Sequence, residues 1–244
     1  MRQVRQYMKV FSFADNWWQF ALIAIVCYAI GCCNFAVFIS RWRKMDITKM
    51  GSGNPGTMNM TRELGLKFGV LTFFCDALKG GVPALVSYFL YRGFVFENTA
   101  VCVADFSRYF CALFVVLGHV FPVQLRFKGG KGIASTLGMF WMSLSCESLW
   151  FILIGFGIAA ILITFIYLTH WGSLASLLGV TSCSAIQLFL FYARYGVLTF
   201  NAYLVAVYMI IFLINILTWT AHGKNLSRLF SGEERQTIFR KHKQ

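Results

Sequence analysis

The chain has 244 residues, 58% of them hydrophobic and only 13% charged, with a formal net charge of +13 and a mean hydropathy of +0.66. Soluble domains carry about 25% charged residues, so a soluble globular class is excluded and most of the chain is expected in lipid. The positive charges sit at the ends of apolar runs, which is the pattern of orientation signals and headgroup contacts rather than of a nucleic-acid surface.

Apolar runs predict spans at 17–39, 67–91, 101–118, 133–147, 149–169, 173–193 and 197–219. The fold class is therefore all-α, a polytopic membrane protein with about seven transmembrane helices. A crossing helix needs roughly 20 apolar residues, so the short fourth segment reads either as a crossing or as re-entrant. Residues 1–16 form a polar N-terminal lead, 17–221 the seven-helix membrane domain, and 222–244 a basic C-terminal segment that completes the site. The first run is too long for a signal-peptide core and is taken as the first span. Segments 40–67, 119–132 and 220–244 hold 15 of the 22 basic residues. The positive-inside rule makes that side cytoplasmic, with the N-terminus outside and the C-terminus inside. Arg2, Arg5 and Lys9 pull the other way, more weakly than the cluster from Arg41 to Lys49. The eight cysteines form no C-x-x-C pair, so they are expected to be small buried apolar residues rather than a zinc or dithiol site.

Three polar, glycine-bearing stretches fall on the same side. The first, GSGNPGTMNMTR over 51–62, has three glycines and a proline between Gly51 and Gly56, which forbid a regular helix there. Its backbone amides, with Gly53, Ser52, Asn54, Thr57 and Asn59 as neutral partners and Arg62 as a guanidinium fork, suit a phosphate. An ordinary inter-helix turn is the plainer alternative. The second stretch runs from Gly118 and His119 through Pro122 to FKGGKG over 127–132. There Gly129, Gly130 and Gly132 allow close approach to an anion, Lys128 and Lys131 add charge, and a following helix would add its dipole. It is not a Walker motif, because position 125 is leucine and position 132 is glycine. The third, HGKNLSRLFSGEE over 222–234, places His222, Asn225 and Arg228 on one face if helical. Taken alone, it could be only a solvated basic flank.

Two charged pairs lie inside spans. Asp76 and Lys79 are spaced to pair on one helix face, and intramembrane charge marks a functional or cavity-lining site unless it is a purely structural pair. Asp105 and Arg108 repeat that spacing nearer the other end of their span, where snorkelling to the interface is the simpler expectation.

The stretches GSGNPGTMNMTRELG, LGHVFPVQLRFKGGKGIAS and HGKNLSRLFSGEE resemble the three signature motifs of the PlsY family, the bacterial acyl-phosphate:glycerol-3-phosphate acyltransferases. The segment CDALKGGVP resembles the Asp–Lys segment after that family's first motif, and the likeness runs from about residue 17 to 234. The resemblance implies a seven-span bacterial inner-membrane enzyme with its motifs facing the cytoplasm. It implies transfer of a fatty acyl group from acyl phosphate, rather than directly from acyl-coenzyme A or acyl carrier protein, to the 1-hydroxyl of glycerol 3-phosphate, giving lysophosphatidic acid and phosphate. No cofactor, metal or obligate protein partner is expected. Carried over position by position, Ser52 and Arg62 hold a substrate phosphate, 128–132 is a phosphate loop, His119 is the histidine of the second motif, and His222 and Asn225 lie near the glycerol 3-phosphate. Ser52, Arg62, His119, Lys131 and His222 are the catalytic candidates. Gly51, Gly53, Asn54, Asn59, Asp76, Lys79, Lys128, Gly129, Gly130, Gly132, Asn225 and Arg228 are the binding candidates. Pro55, Thr57, Met58 and Gly223 depart from the family pattern, which bears on substrate preference.

An acyl phosphate is already activated, so holding two phosphates close together and orienting a hydroxyl on the carbonyl suffices, without an acyl-enzyme. His119, His222 or a substrate phosphate oxygen is the candidate base. A His-x-x-x-x-Asp acyltransferase is absent, because Gln124, Ala175 and Ser227 follow three of the four histidines at that spacing and His242 lies too close to the end. A metal-dependent phosphotransferase would need an aspartate cluster, and only Asp46 and Asp76 lie near the motifs. The rival from another class is a transporter or flippase for a phosphorylated solute. Matching halves with broken helices would favour it, and the one-sided motifs do not. A catalytically silent scaffold is a further alternative, opposed by Ser52, Arg62 and both loop lysines.

Overall fold

The computed structural model describes residues 8–196 and 201–233. Arg2 and Arg5 of the lead, the start of the expected last span at 197–200, and residues 234–244 lie outside the described residues. A short strand, β1 (Lys9–Phe11), precedes helix α1 (Phe13–Cys32) and helix α2 (Phe35–Trp42). Then come α3 (Thr57–Leu64), α4 (Leu66–Tyr91), strand β2 (Phe94–Phe96), α5 (Val103–Val120) and α6 (Ile133–Glu147). The bundle closes with α7 (Ile152–Thr169), α8 (Gly172–Tyr195), α9 (Ala202–Ala221) and a short α10 (Gly223–Phe230).

Among the described residues, six segments are long and apolar enough to cross a membrane: 13–42, 66–91, 103–125, 149–169, 172–195 and 202–221. The short fourth run of the sequence is α6. Its 15 residues span about 22 Å at 1.5 Å per residue, less than a hydrocarbon core of about 30 Å. The polar lead ends sooner than expected, since α1 starts at Phe13 and strand β1 occupies part of the lead.

The first span is not one helix. Cys33 and Asn34 take extended conformations, and the Asn34 side chain accepts from the Val37 amide at 3.0 Å, so a new helix starts there. An asparagine in an apolar run supplies the cap that restarts the chain, and the last carbonyls of α1 lose their helical partners. Such a break is tolerated at membrane depth only where the protein satisfies those carbonyls.

Helices pack closely where glycines remove side chains. A methyl group built on Gly80 of α4 would lie 2.0 Å from the Ser135 carbonyl oxygen, and one on Gly138 of α6 would lie 2.1 Å from that of Ala77. Small residues of this kind let backbones meet where van der Waals contact drives helix association. Helix α7 sits on the rim: only Gly155 of its residues is buried, receiving the Trp141 indole. At the end of the bundle away from the three motifs, β1 pairs in parallel with β2, with Val10 opposite Val95. Phe11, Phe20, Tyr91 and Phe96 fill the space beneath that pair, and Phe96 stacks on Tyr203 at 3.8 Å.

Candidate active site

Segments 43–65, 119–132 and 222–233 gather at one end of the bundle, here called the loop end, and direct contacts tie them together. Asn34, at the break in the first span, donates to the Pro55 carbonyl of the first loop at 3.1 Å. Gln124 of the second loop donates to the Cys32 carbonyl on the other side of the break at 2.6 Å. Leu125 packs against the cluster of Ile47, Met60 and Val37. From the second loop to the third segment, the space beside Gly132 is bounded by Val116, Val120 and Thr218, and Lys131 acts electrostatically on His222.

The first loop is held from inside by Asn59. Its Oδ1 accepts from the Ser52 amide at 3.0 Å, while its Nδ2 donates to the Met50 carbonyl at 3.0 Å and the Ile47 carbonyl at 3.3 Å. Buried and engaged on both sides, Asn59 shapes the loop rather than facing outward. Gly51 and Gly53 take left-handed conformations, φ 55° and 69°, that an L side chain adopts only with strain. Ser52 and Arg62 are exposed, Arg62 on the last turn of α3, and the Ser52 hydroxyl accepts from the Asn54 amide at 3.4 Å. Asp46 braces the preceding turn by accepting from the Thr48 hydroxyl and amide, contacts that hold its carboxyl below the usual range.

The second loop folds back on the end of α5. The Gly129 amide donates to the Val120 carbonyl at 3.0 Å and the Gly130 amide to the His119 carbonyl at 3.1 Å. A side chain on Gly130 would strike His119 Nε2, and one on Gly129 the His119 carbonyl. These two glycines, expected to bring backbone amides to an anion, instead let the loop lie flat on a helix terminus. The amides left without acceptors within the helix are instead those of the first turn of α6, which follows Lys131 and Gly132. Just before it, Arg126 and Phe127 both take left-handed backbone (φ 52° and 59°), at a cost of about 1–2 kcal/mol each. Lys128 is exposed and Lys131 half-buried.

Beneath both loops lies a buried polar hub. Lys79 Nζ contacts Asp76 Oδ1 at 2.7 Å, His119 Nδ1 at 2.8 Å, and the Cys33 and Gly31 carbonyls at 2.8 and 3.2 Å. The lysine thus satisfies the carbonyls freed by the break in the first span. Because an ammonium only donates, His119 Nδ1 accepts, and its proton sits on Nε2 against Gly130. His119 is 4% exposed, so both ring nitrogens face protein. Asp76 and Lys79 form the pair their spacing suggested, and they face the helix break and the underside of the loops.

The third segment forms α10 with His222 at its start, and the helical face expected for His222, Asn225 and Arg228 is present. His222 Nδ1 lies 2.7 Å from the Thr218 carbonyl. A carbonyl can only accept, so the proton is on Nδ1 and Nε2 keeps its lone pair. Burial, with the Lys131 ammonium beside it, pushes the His222 pKa down to about 4 against the pull of that carbonyl. His222 is therefore neutral at physiological pH. Asn225 Oδ1 accepts from Arg228 Nη2 at 2.7 Å, and its Nδ2 donates to Ser173 at the start of α8. Ser173 joins the loop end without any sequence signal, one serine opening an apolar span. Asn34 and Gln124 had a fainter one, as polar residues interrupting apolar or basic runs.

Asp105 and Arg108 do not snorkel. Arg108 is 0% exposed, and its guanidinium contacts Asp105 at 2.8 Å, Glu147, and the Ser143 carbonyl at 3.1 Å. Arg194 joins through Asp105 at 2.9 Å and through Glu147. The expectation failed because the partners come from α6 and α8, far away in sequence, and a compensated buried network removes the need to reach water.

Residues 21–232 match the glycerol-3-phosphate acyltransferase family. A glycerol-3-phosphate acyltransferase of Aquifex aeolicus is 34% identical over 212 residues, covering 87% of this chain and 96% of that protein. That of Pseudothermotoga lettingae is 34% identical over 218 residues, covering 89% and 94%. Among solved structures, the integral membrane glycerol 3-phosphate acyltransferase PlsY (YgiH) in its glycerol 3-phosphate form matches with a TM-score of 0.70 at 31% identity, covering 89% of this chain and 95% of that one. Its lysophosphatidic acid form matches with a TM-score of 0.69.

Proposed function

The chain belongs to the glycerol-3-phosphate acyltransferase family, and from that premise we propose that its donor is an acyl phosphate and that transfer takes place at the loop end. It is an integral membrane enzyme that acylates glycerol 3-phosphate to lysophosphatidic acid. A flippase or transporter reading has no observation in its favour.

One observation carries the assignment of the site: a neutral, buried His222 (2% exposed) stands beside Lys131 where the second loop enters α6. That corner offers a cation, a helix N-terminus and a proton acceptor together. The loops 51–62 and 119–132 both reach the break in the first span, through Pro55 on Asn34 and Gln124 on the Cys32 carbonyl. This arrangement fits a reaction in which donor and acceptor each carry a phosphate.

In this reading Ser52, Asn54 and Arg62 hold one phosphate, and Lys128, Lys131 and the Gly132 turn hold the other. Asn225 and Arg228 orient the glycerol. The acceptor hydroxyl oxygen attacks the acyl carbonyl carbon, the carbon–oxygen bond to phosphate breaks, and phosphate departs as a stabilised anion. The hydroxyl proton passes to His222 Nε2 or to a phosphate oxygen. Cations and helix dipole screen the charge that gathers as the two anions approach, and positioning supplies most of the rate. Asn59, Asp76, Lys79, His119, Gly129 and Gly130 shape the loops rather than touch substrate. Arg41, Arg43, Lys44, Lys49 and Arg126 frame this end, which the positive-inside rule places on the cytoplasmic side of a bacterial inner membrane.

Donor identity is tested by lysophosphatidic acid formation in lipid with palmitoyl phosphate or palmitoyl-coenzyme A. Turnover with the phosphate alone, lost in Arg62→Ala, is expected. Equal kcat/KM with the thioester would overturn the donor assignment.

A further inference from the structure

Helix α6 begins at the loop that faces substrate and ends, about 22 Å away, at Glu147. Along α4 the backbones meet closely, Gly80 against Ser135 and Gly138 against Ala77, with the Met142 side chain on Gly81 and the Trp141 indole over Gly155 of α7. These contacts hold the middle of α6, and a charged contact at its end adds a further constraint on its axial register.

At the far end the register is fixed by charge. Glu147, the last residue of α6, meets Arg108 of α5 and Arg194 of α8, and accepts from Gln187 at 3.2 Å. Arg108 also donates to the Ser143 carbonyl near the end of the helix at 3.1 Å. Asp105 completes the balance, two carboxylates against two guanidiniums, and accepts from the Tyr195 hydroxyl. Three of the four charged side chains are at most 3% exposed, and Arg194 is 29% exposed. None of them lies near the motifs.

We propose that the Asp105–Arg108–Glu147–Arg194 cluster is a positioning device, which pins the far end of α6 and thereby sets the depth at which Lys131 and Gly132 meet glycerol 3-phosphate. The inference rests on the assignment of the 128–132 loop to phosphate binding. A network that served folding alone would change how much protein is folded. One that sets helix register changes how well the folded protein binds its acceptor.

The test is the KM for glycerol 3-phosphate at saturating palmitoyl phosphate, with thermal stability measured alongside, for Glu147→Gln, Glu147→Asp, Arg194→Gln and Lys131→Met. Glu147→Gln is expected to raise KM roughly three- to ten-fold in the folded fraction, and Glu147→Asp, which keeps the charge, to restore part of the loss. A wild-type KM in Glu147→Gln with only less folded protein would overturn the proposal. Should Glu147→Gln fail to fold, Arg194→Gln at the partly exposed rim decides by the same criterion. Kinetics unchanged in Lys131→Met would instead remove the phosphate-loop assignment, and the proposal with it.

Discussion

Asp76–Lys79 on α4 and Asp105–Arg108 on α5 share one spacing, and both are buried in spans, yet their surroundings differ in kind. The first pair faces backbone: Lys79 gathers two carbonyls from a broken helix and a histidine under a loop. The second faces other charges and closes a four-member network across three helices. A lysine, with a compact ammonium and three donors, suits scattered carbonyls, and an arginine fork suits two carboxylates. An aspartate three residues before a base thus says that a pair forms. What the pair serves depends on the third partner. At the loop end it sits beneath the two glycine-bearing loops, and at the far end it joins three helices.

The comparison is broken most sharply at Arg108. Arg108→Met leaves Asp105 and Glu147 sharing one guanidinium and should cost about 5 kcal/mol, the upper range for breaking a buried ionic contact. Thermal unfolding in detergent measures it. Lys79→Met should cost about 3 kcal/mol. Adding Asp76→Leu should recover stability but not activity, because the carbonyls of Gly31 and Cys33 stay unsatisfied beneath the loops. Full recovery of turnover in the double variant would show that the hub has no bearing on the site.

His222 gives a pH signature. Its folded pKa of about 4 lies below the ordinary value of about 6.5, so the unfolded chain binds the proton more readily between them. The contribution to stability is full above pH 6.5 and falls as pH drops toward 4, by at most about 3 kcal/mol. The melting temperature of wild type should decline over that window more steeply than that of His222→Gln. Parallel curves would mean that the imidazole titrates normally. A smaller effect is expected at Gly138→Ala, where the methyl meets the Ala77 carbonyl and overpacking costs about 2 kcal/mol. Since it acts between the two clusters, it should lower the melting temperature and also raise the KM for glycerol 3-phosphate.

Much of this was legible in the residues. Apolar runs marked the spans because lipid tolerates little else. The short segment at 133–147 announced itself by length, and the helix face of His222, Asn225 and Arg228 followed from spacing. Other features were hidden because their partners lie far off in sequence. Glu147 and Arg194 read as ordinary flanks of spans, and Ser173 as one serine among apolar neighbours. Asn34 was swallowed by the run 17–39, although one amide side chain was the signal for a restarted helix. His119 sat in a motif and so looked catalytic, and only packing shows its ring closed between Lys79 and Gly130. The same packing turns Gly129 and Gly130 from anion donors into a seat for the loop.

The central claim, that chemistry belongs to the corner of Lys131 and His222, is tested most directly by the rate of lysophosphatidic acid formation per folded molecule in Lys131→Met and His222→Gln. Losses of about 100-fold or more, with melting temperatures at pH 7.5 close to wild type, are the predicted result. Rates within about two-fold of wild type in both variants would contradict it.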